Sequence, residues 1–247
     1  MLRVEALTVT ARERTLVENL SLDLEDGRIT CLIGPSGCGK TSVIKWLAGI
    51  LPAGLAAAGK LAIDGRDISR PDPAIGYQPQ GDALFPWLTI AENAALGLEV
   101  AGASRTSARA RVAPLFPAFG LAGTEELFPD QLSSGMRQRV AFLRTIVRQS
   151  RFILLDEPFS ALDAVTRMRM QLWFLARLEA EPRGVLMVTH DLREATEIAD
   201  RVLVMAAAPG RIVADIPIET PRAARSEAAL ADLRQSLKSL LLEDFSS

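Results

Sequence analysis

The chain has 247 residues, enough for one large α/β domain or two small ones, and 49 % of them are apolar, so a full core can be built. A formal net charge of −2 gives no electrostatic push towards nucleic acid. No apolar run approaches the roughly 20 residues of a membrane span. Met1 leads directly into a strand pattern without a signal peptide. Cys31 and Cys38 lie too close together for a structural disulfide, which points to a reducing cytosol.

In chain order, Leu2 to Thr10 alternates as a strand, Leu20 to Leu24 alternates again, and Glu25-Asp26-Gly27-Arg28 is a turn. Ile29-Thr30-Cys31-Leu32-Ile33 is a short apolar, β-branched run of the kind that makes a buried strand. Gly34-Pro35-Ser36-Gly37-Cys38-Gly39-Lys40-Thr41 follows, and then Ser42 to Ala48 with apolar residues at helical spacing. Strand, glycine-rich loop and helix are the context that the phosphate-binding pattern G-x-x-x-x-G-K-[ST] requires. Glycines let the backbone wrap closely around phosphates, because they tolerate left-handed dihedrals and carry no Cβ. The loop N–H groups and the helix N-terminus then face the anion. Lys40 adds a point charge for the β- and γ-phosphates, and Thr41 offers a hydroxyl to Mg²⁺.

Leu51 to Gly59 reads as a loop of small residues, Lys60 to Ile63 as a short strand, and Asp64-Gly65 as a turn. Ile75 to Gln80 closes the first half. Gln80 ends a strand, where a neutral amide can ligate Mg²⁺ or orient water. From about Leu84 to Ser150 strand signals vanish and helical spacing appears in Ile90 to Val100, Arg105 to Phe119 and Gly135 to Arg148. This segment reads as a helical subdomain inserted into a sheet domain. Its Ala103 to Arg111 stretch is a solvated helix start. Within it, Ser133 is placed as an N-cap, so that the following helix presents its positive end to an anion.

The sheet pattern returns at Arg151 to Glu157, Val185 to Val188 and Arg201 to Met205, with helices at Ala164 to Ala180 and Leu192 to Ala199. Strands alternating with helices predict a mostly parallel sheet. Arg222 to Asp244 predicts one or two C-terminal helices with an apolar stripe, and no internal repeat is found. Leu154-Leu155-Asp156-Glu157 puts two carboxylates at the carboxyl end of an apolar strand, the edge where open α/β sheets bind ligands. Asp156 fits the residue that holds Mg²⁺ through water, and Glu157 the one that polarises the attacking water. His190, the single histidine, follows Leu186-Met187-Val188-Thr189 to the same edge. One histidine builds neither a metal site nor a triad, so its position favours a γ-phosphate contact.

Together these motifs resemble the ATP-binding-cassette (ABC) family, in particular the stand-alone nucleotide-binding subunits of bacterial importers, up to about Ile218. Gly34 to Thr41 resembles Walker A, Gln80 the Q-loop, Leu132 to Met136 the family signature and Ile153 to Glu157 Walker B. Ser160-Ala161-Leu162-Asp163 resembles the D-loop, and His190 the switch histidine. The resemblance implies an α/β fold: a P-loop NTPase (RecA-like) core of the ABC ATPase type, at 1–83 and 151–220. A helical signature subdomain at 84–150 and C-terminal helices at 221–247 complete a single domain. It implies ATP and Mg²⁺ as ligands, with Glu157, His190 and Gln80 catalytic. Thr41, Gln80 and Asp156 attend the metal. Gly34, Pro35, Ser36, Gly37, Cys38, Gly39, Lys40, Thr41, Ser133, Gly135 and Asp163 touch the nucleotide.

As partners it implies a second copy in a head-to-tail, two-ATP sandwich and integral membrane permease subunits, whose coupling helices sit in a groove near Gln80. A periplasmic or lipid-anchored solute-binding protein is an indirect partner, and nucleic acid is not one. The expected place is the cytoplasmic face of the cell membrane, held peripherally. Leu84 to Asn93, Thr189 to Ala195 and Pro209 to Ile212 resemble importers of nitrate, taurine, alkanesulfonates and thiamine-pyrimidine precursors. The sequence does not single out a cargo among them.

Two departures from the pattern stand out. Ser134 occupies a signature position that is usually glycine. Thr8 to Arg14 holds no aromatic to stack on adenine, which leaves base contact weak or hands it to Arg12 or Arg14. The alternatives are a soluble cassette ATPase, an exporter or lipoprotein-release ATPase, and a degenerate cassette. The lack of a second cassette or long coiled-coil insert disfavours the first, the Phe85 to Asn93 segment the second, and intact Lys40, Asp156, Glu157 and His190 the third.

Overall fold

The computed structural model describes residues 1–12, 14–207 and 209–243. Two sheets and a set of helices divide the apolar residues between two cores. Strands β1 (Leu2–Ala11) and β2 (Arg14–Leu24) pair antiparallel. Leu2, Val4, Leu7 and Val9 of β1 are buried with Val17, Leu20, Leu22 and Leu24 of β2; burial alternates within each short run, and irregularities in the pairing between Val4 and Val9 shift the phase so that all eight face one core. On its other side β1 pairs antiparallel with β4 (Leu55–Ile63), which continues into β5 (Arg66–Asp67).

This corrects the loop expected over Leu51 to Gly59. Ala56, Ala57 and Ala58 are exposed and lack the branched side chains that signal a strand locally. They extend because the edge of β1 supplies their backbone partners, Thr10, Val9 and Thr8.

Strands β3 (Ile29–Ile33), β6 (Ile75–Gln78), β7 (Phe152–Asp156), β8 (Gly184–Val188), β9 (Arg201–Ala206) and β10 (Arg211–Pro217) form the second sheet. Its order is β10-β9-β3-β8-β7-β6. All neighbours are parallel except β10, an antiparallel edge strand whose alternate residues are exposed. Every residue of β3, β7 and β8 is buried, which is why these strands are continuous apolar runs in the sequence. Leu32, Leu154, Leu186 and Leu203 face the core shared with β1 and β2. Cys31, Ile153, Met187 and Val202 face the core shared with most of the helices.

Helix α1 (Lys40–Leu47) lies on the first side and buries Val43, Ile44, Trp46 and Leu47. Helices α2 (Ile90–Val100), α3 (Arg105–Val112) and α4 (Ser134–Ile146) form the segment between β6 and β7. A capping box of Thr89 and Glu92 starts α2. The single helix expected over Arg105 to Phe119 is also corrected: α3 ends at Val112 and a 3₁₀ turn follows at Ala113–Leu115. Pro114 has no N–H to continue the α-helical ladder. Helices α5 (Ala164–Ala180), α6 (Leu192–Ile198) and α7 (Ala231–Glu243) complete the chain. The expected C-terminal helical region is thus a 3₁₀ turn at Arg222–Ala224 and then α7, and its last residue, Asp244, lies outside the described residues. Phe142 on α4 packs edge-on against Phe159, at 5.1 Å between ring centroids, and Phe174 of α5, at 5.4 Å. This ties the helical segment to the chain that leaves β7.

Candidate nucleotide-binding site

Four neighbouring parallel strands end together at one sheet edge, in the order β3, β8, β7, β6. The loop Gly34 to Thr41 leaves β3, Thr189 and His190 leave β8, Asp156 ends β7 just before Glu157, and Gln80 lies two residues beyond β6. The carboxyl edge of such a sheet is where ligands bind.

Two glycines in the loop need the left-handed region, Gly37 at φ 81° and Gly39 at φ 102°. Gly39 is also the N-cap of α1 and carries no side chain to satisfy the first-turn N–H groups, so these face the loop's concavity. Lys40 curls over the loop and donates to the carbonyls of Gly34 and Pro35, each at 2.8 Å. The Cys38 thiol lies 3.7 Å from the same ammonium and is buried. Both cysteines are free thiols, and burial pushes that of Cys31 well up.

Asp156 is 1 % exposed. The Thr41 side chain beside it favours the charged form, while its buried Oδ2 has no hydrogen-bond partner. Burial, and then the charge of Glu157, push this carboxyl above its usual range. Glu157 sits at φ 49°, a strained conformation for a residue with a Cβ. Its N–H donates to Val188 O at 2.9 Å, and its carbonyl accepts from Ser160 Oγ at 3.0 Å. So held, its carboxylate accepts from Gln80 Nε2 at 3.2 Å and lies 3.2 Å from His190 Nδ1. The structure therefore brings together Gln80, Glu157 and His190, three residues far apart in sequence.

The signature residues are elsewhere. Ser133 is the N-cap of α4 and accepts from the Met136 N–H at 3.2 Å, and Ser134 is the first helical residue. Gly135 lies against Ala161, whose carbonyl oxygen would be 3.2 Å from a Cβ built there. Asp163 caps α5 by accepting from the N–H groups of Val165 at 3.1 Å and Thr166 at 3.0 Å. Among the described residues no hydrogen bond or ion pair joins Ser133, Gly135 or Asp163 to the loop at Gly34 to Thr41.

Sequence reasoning missed a clamp between α4 and the segment after Gln80. Arg137 donates from Nε to Asp82 at 2.9 Å, and Arg144 donates to the carbonyls of Asp82 at 2.9 Å and Ala83 at 2.8 Å. The available signal was the spacing of Arg137 and Arg144, two helical turns apart on one face of α4. Beside the clamp runs a groove of about 440 Å³ whose lining includes Ile50, Tyr77, Phe85 and Val100.

A glycine-rich phosphate cradle at a strand-to-helix junction, with an acidic strand end beside it, makes this a P-loop nucleotide-binding domain. The family model described as ABC transporter matches residues 17–160, more than half of the chain, and the chain belongs to that family. It is 40 % identical over 200 residues to the taurine import ATP-binding protein TauB of Burkholderia pseudomallei, covering 81 % of this chain and 76 % of that one. It is 36 % identical over 235 residues to the formylaminopyrimidine import ATP-binding protein ThiZ of Halalkalibacterium halodurans, covering 93 % and 91 %. Among solved structures, an ATP-binding cassette dimer in a post-hydrolysis state, bound to ADP and Pi, superposes with a TM-score of 0.77 at 25 % identity, over 90 % of this chain and all of that one. The expected P-loop core with a helical insert is therefore the fold of the ABC ATPase nucleotide-binding domain.

Proposed function

We propose that this chain is the ATP-hydrolysing subunit of a membrane importer of a small solute, of the taurine, sulfonate, nitrate or thiamine-precursor type. The observation that carries the chemistry is Glu157, held between Gln80 and His190 at the sheet edge beside the phosphate loop. The direction of transport rests on the import proteins it resembles.

The loop N–H groups and the start of α1 bind the β-phosphate, and Lys40 swings from the loop carbonyls to the β- and γ-phosphates. Glu157 takes the proton of the attacking water, Gln80 orients that water, and His190 donates to the γ-phosphate. Thr41 and Asp156 fit Mg²⁺: their oxygens are hard donors, and the buried Oδ2 of Asp156 lacks any other partner. Gln80 reaches the same edge. Held by these residues, Mg²⁺ would supply positive charge to offset that developing on the transferred phosphoryl group.

Ser133, Gly135 and Asp163 serve the nucleotide of a second copy in a head-to-tail dimer, a role supported by the lack, among the described residues, of any hydrogen bond from them to their own loop. Among the described residues no helix is long and apolar enough to cross a membrane. Attachment to the cytoplasmic face then runs through permease subunits, seated in the groove that includes Phe85 and Val100, and a solute-binding protein acts through them. Lys40→Ala tests the core of this reading. It should remove Mg-ATP binding without unfolding the domain, and a folded variant that still binds Mg-ATP tightly refutes it. Deletion of the gene should abolish uptake of the cargo, and unchanged uptake of every taurine, sulfonate, nitrate and pyrimidine substrate refutes the import assignment.

A further inference from the structure

Sheet topology fixes where the base of a bound nucleotide lies, given the nucleotide-binding reading above. Glu157 and His190 follow β7 and β8, on one side of β3. A triphosphate whose γ-end points at them leaves its nucleoside on the other side of the loop, where β9 and β10 stand. Two segments close that side: the β1–β2 hairpin, through Leu16 and Val17, and the β9–β10 connection, through Gly210. The β9–β10 turn meets the start of β2: Gly210 N donates to Leu16 O, and Glu18 N donates to Gly210 O, both at 2.9 Å. Both press on the phosphate loop. A Cβ on Gly210 would collide with the Cys38 carbonyl, and one on Gly39 would come within 2.6 Å of Val17 Cγ2.

No aromatic residue occurs anywhere in 1–45 or 201–217, so neither turn offers a ring to a base. The β1–β2 turn instead offers Arg12, at φ 52°, and Arg14. Both are exposed, and among the described residues neither guanidinium has a hydrogen-bond or ion-pair partner. An exposed guanidinium that is not spent on a carboxylate is free to lie flat on a purine or to meet its edge. The edge decides specificity. Guanine presents two acceptors, O6 and N7, which match the two-pronged guanidinium, whereas adenine presents N7 beside an N6 donor and satisfies one prong only.

We propose that Arg12 and Arg14 read the base, and that the cassette binds GTP within about threefold of ATP and hydrolyses both. Calorimetric titration with Mg-ATP and Mg-GTP, joined to phosphate release from each, tests this on the purified full chain. The wild type should bind GTP no more than about threefold more weakly than ATP and should hydrolyse both. In Arg12→Lys/Arg14→Lys the charge stays and the planar fork goes, so the GTP-to-ATP affinity ratio should fall at least about fivefold. Arg12→Gly/Arg14→Ala, which suits the positive φ at residue 12, should lower the ratio as far. Melting curves confirm that each variant is folded. A wild type that binds ATP more than threefold better than GTP overturns the proposal, as does a double-lysine variant whose ratio moves less than fivefold. Both results leave ATP binding standing. Failure of the wild type to bind either nucleotide would instead remove the phosphate-loop reading itself, and this inference with it.

Discussion

Arg144→Met isolates the clamp between α4 and the segment after Gln80. Arg144 is half-buried, and its stem packs beside Gly97 of α2, 3.9 Å from a Cβ built there. Methionine keeps most of that stem and removes the guanidinium. Two charged hydrogen bonds are lost, to the carbonyls of Asp82 at 2.9 Å and Ala83 at 2.8 Å. Such bonds contribute about 1.5–3 kcal/mol each. The bond to Ala83 is exposed, so the low end applies, and the pair contributes about 3 kcal/mol. At about 2–4 °C per kcal/mol for a domain of this size, Tm should fall by about 6–12 °C. Arg148→Met is the control. It loses one exposed bond to Pro73 O at 3.4 Å, which contributes below about 1 kcal/mol. Circular dichroism melts of the three proteins give the comparison. Since residues 82 and 83 carry Gln80 on their N-terminal side, Arg144→Met should also slow phosphate release about tenfold, or about 1.4 kcal/mol of barrier. An Arg144→Met protein that melts no lower than Arg148→Met refutes the clamp as a source of stability.

Other perturbations separate the roles at the sheet edge. Glu157→Gln should bind ATP, hydrolyse it about 10²–10⁴-fold more slowly and accumulate as a dimer. Normal turnover by a protein that light scattering shows to be monomeric contradicts its role as base. Ser134→Gly should change turnover less than about tenfold, because Ser134 is an ordinary first helical residue, while Ser133→Ala removes the cap of α4 and should lose more than tenfold, or about 1.4 kcal/mol. A hundredfold gain in Ser134→Gly, about 2.7 kcal/mol, would make that serine a brake. The Asp156 carboxyl is pushed up in the folded chain, so between the unfolded and folded pKa the folded form holds more protons and stability falls as pH rises through that window. In Mg²⁺-free buffer, wild-type Tm should therefore fall relative to that of Asp156→Asn as pH rises above the ordinary carboxyl value of about 4. Parallel curves would exclude the strained carboxylate. Asp156→Asn should also lose Mg²⁺-dependent turnover.

Local patterns carry what depends on near neighbours in the chain. The run Ile29 to Thr41 specifies a strand, a glycine loop and a helix, because burial on both faces demands a continuous apolar strand and left-handed dihedrals demand glycine. The paired carboxylates after Leu155 and the histidine after Val188 were equally legible, since each terminates an apolar strand. Ser133 was readable as a cap from its place before a helical run, and the structure puts its Oγ on the Met136 N–H.

Distant partners decided the rest. Ala56 to Ala58 are extended because β1 holds them, and no side chain there says so. β10 is an edge strand, half exposed, with only β9 to fix its register. The contact of Glu157 with both Gln80 and His190 needs the strand order β8-β7-β6, which long-range parallel pairing sets. The clamp of Arg144 on Asp82 and Ala83 joins residues 61 and 62 positions apart, and it forms only once α4 has docked. The sequence by itself thus determined the elements of the phosphate site, because backbone conformation and burial periodicity are local properties. The tertiary structure alone decided which of those elements meet, because pairing and docking energies belong to both partners at once.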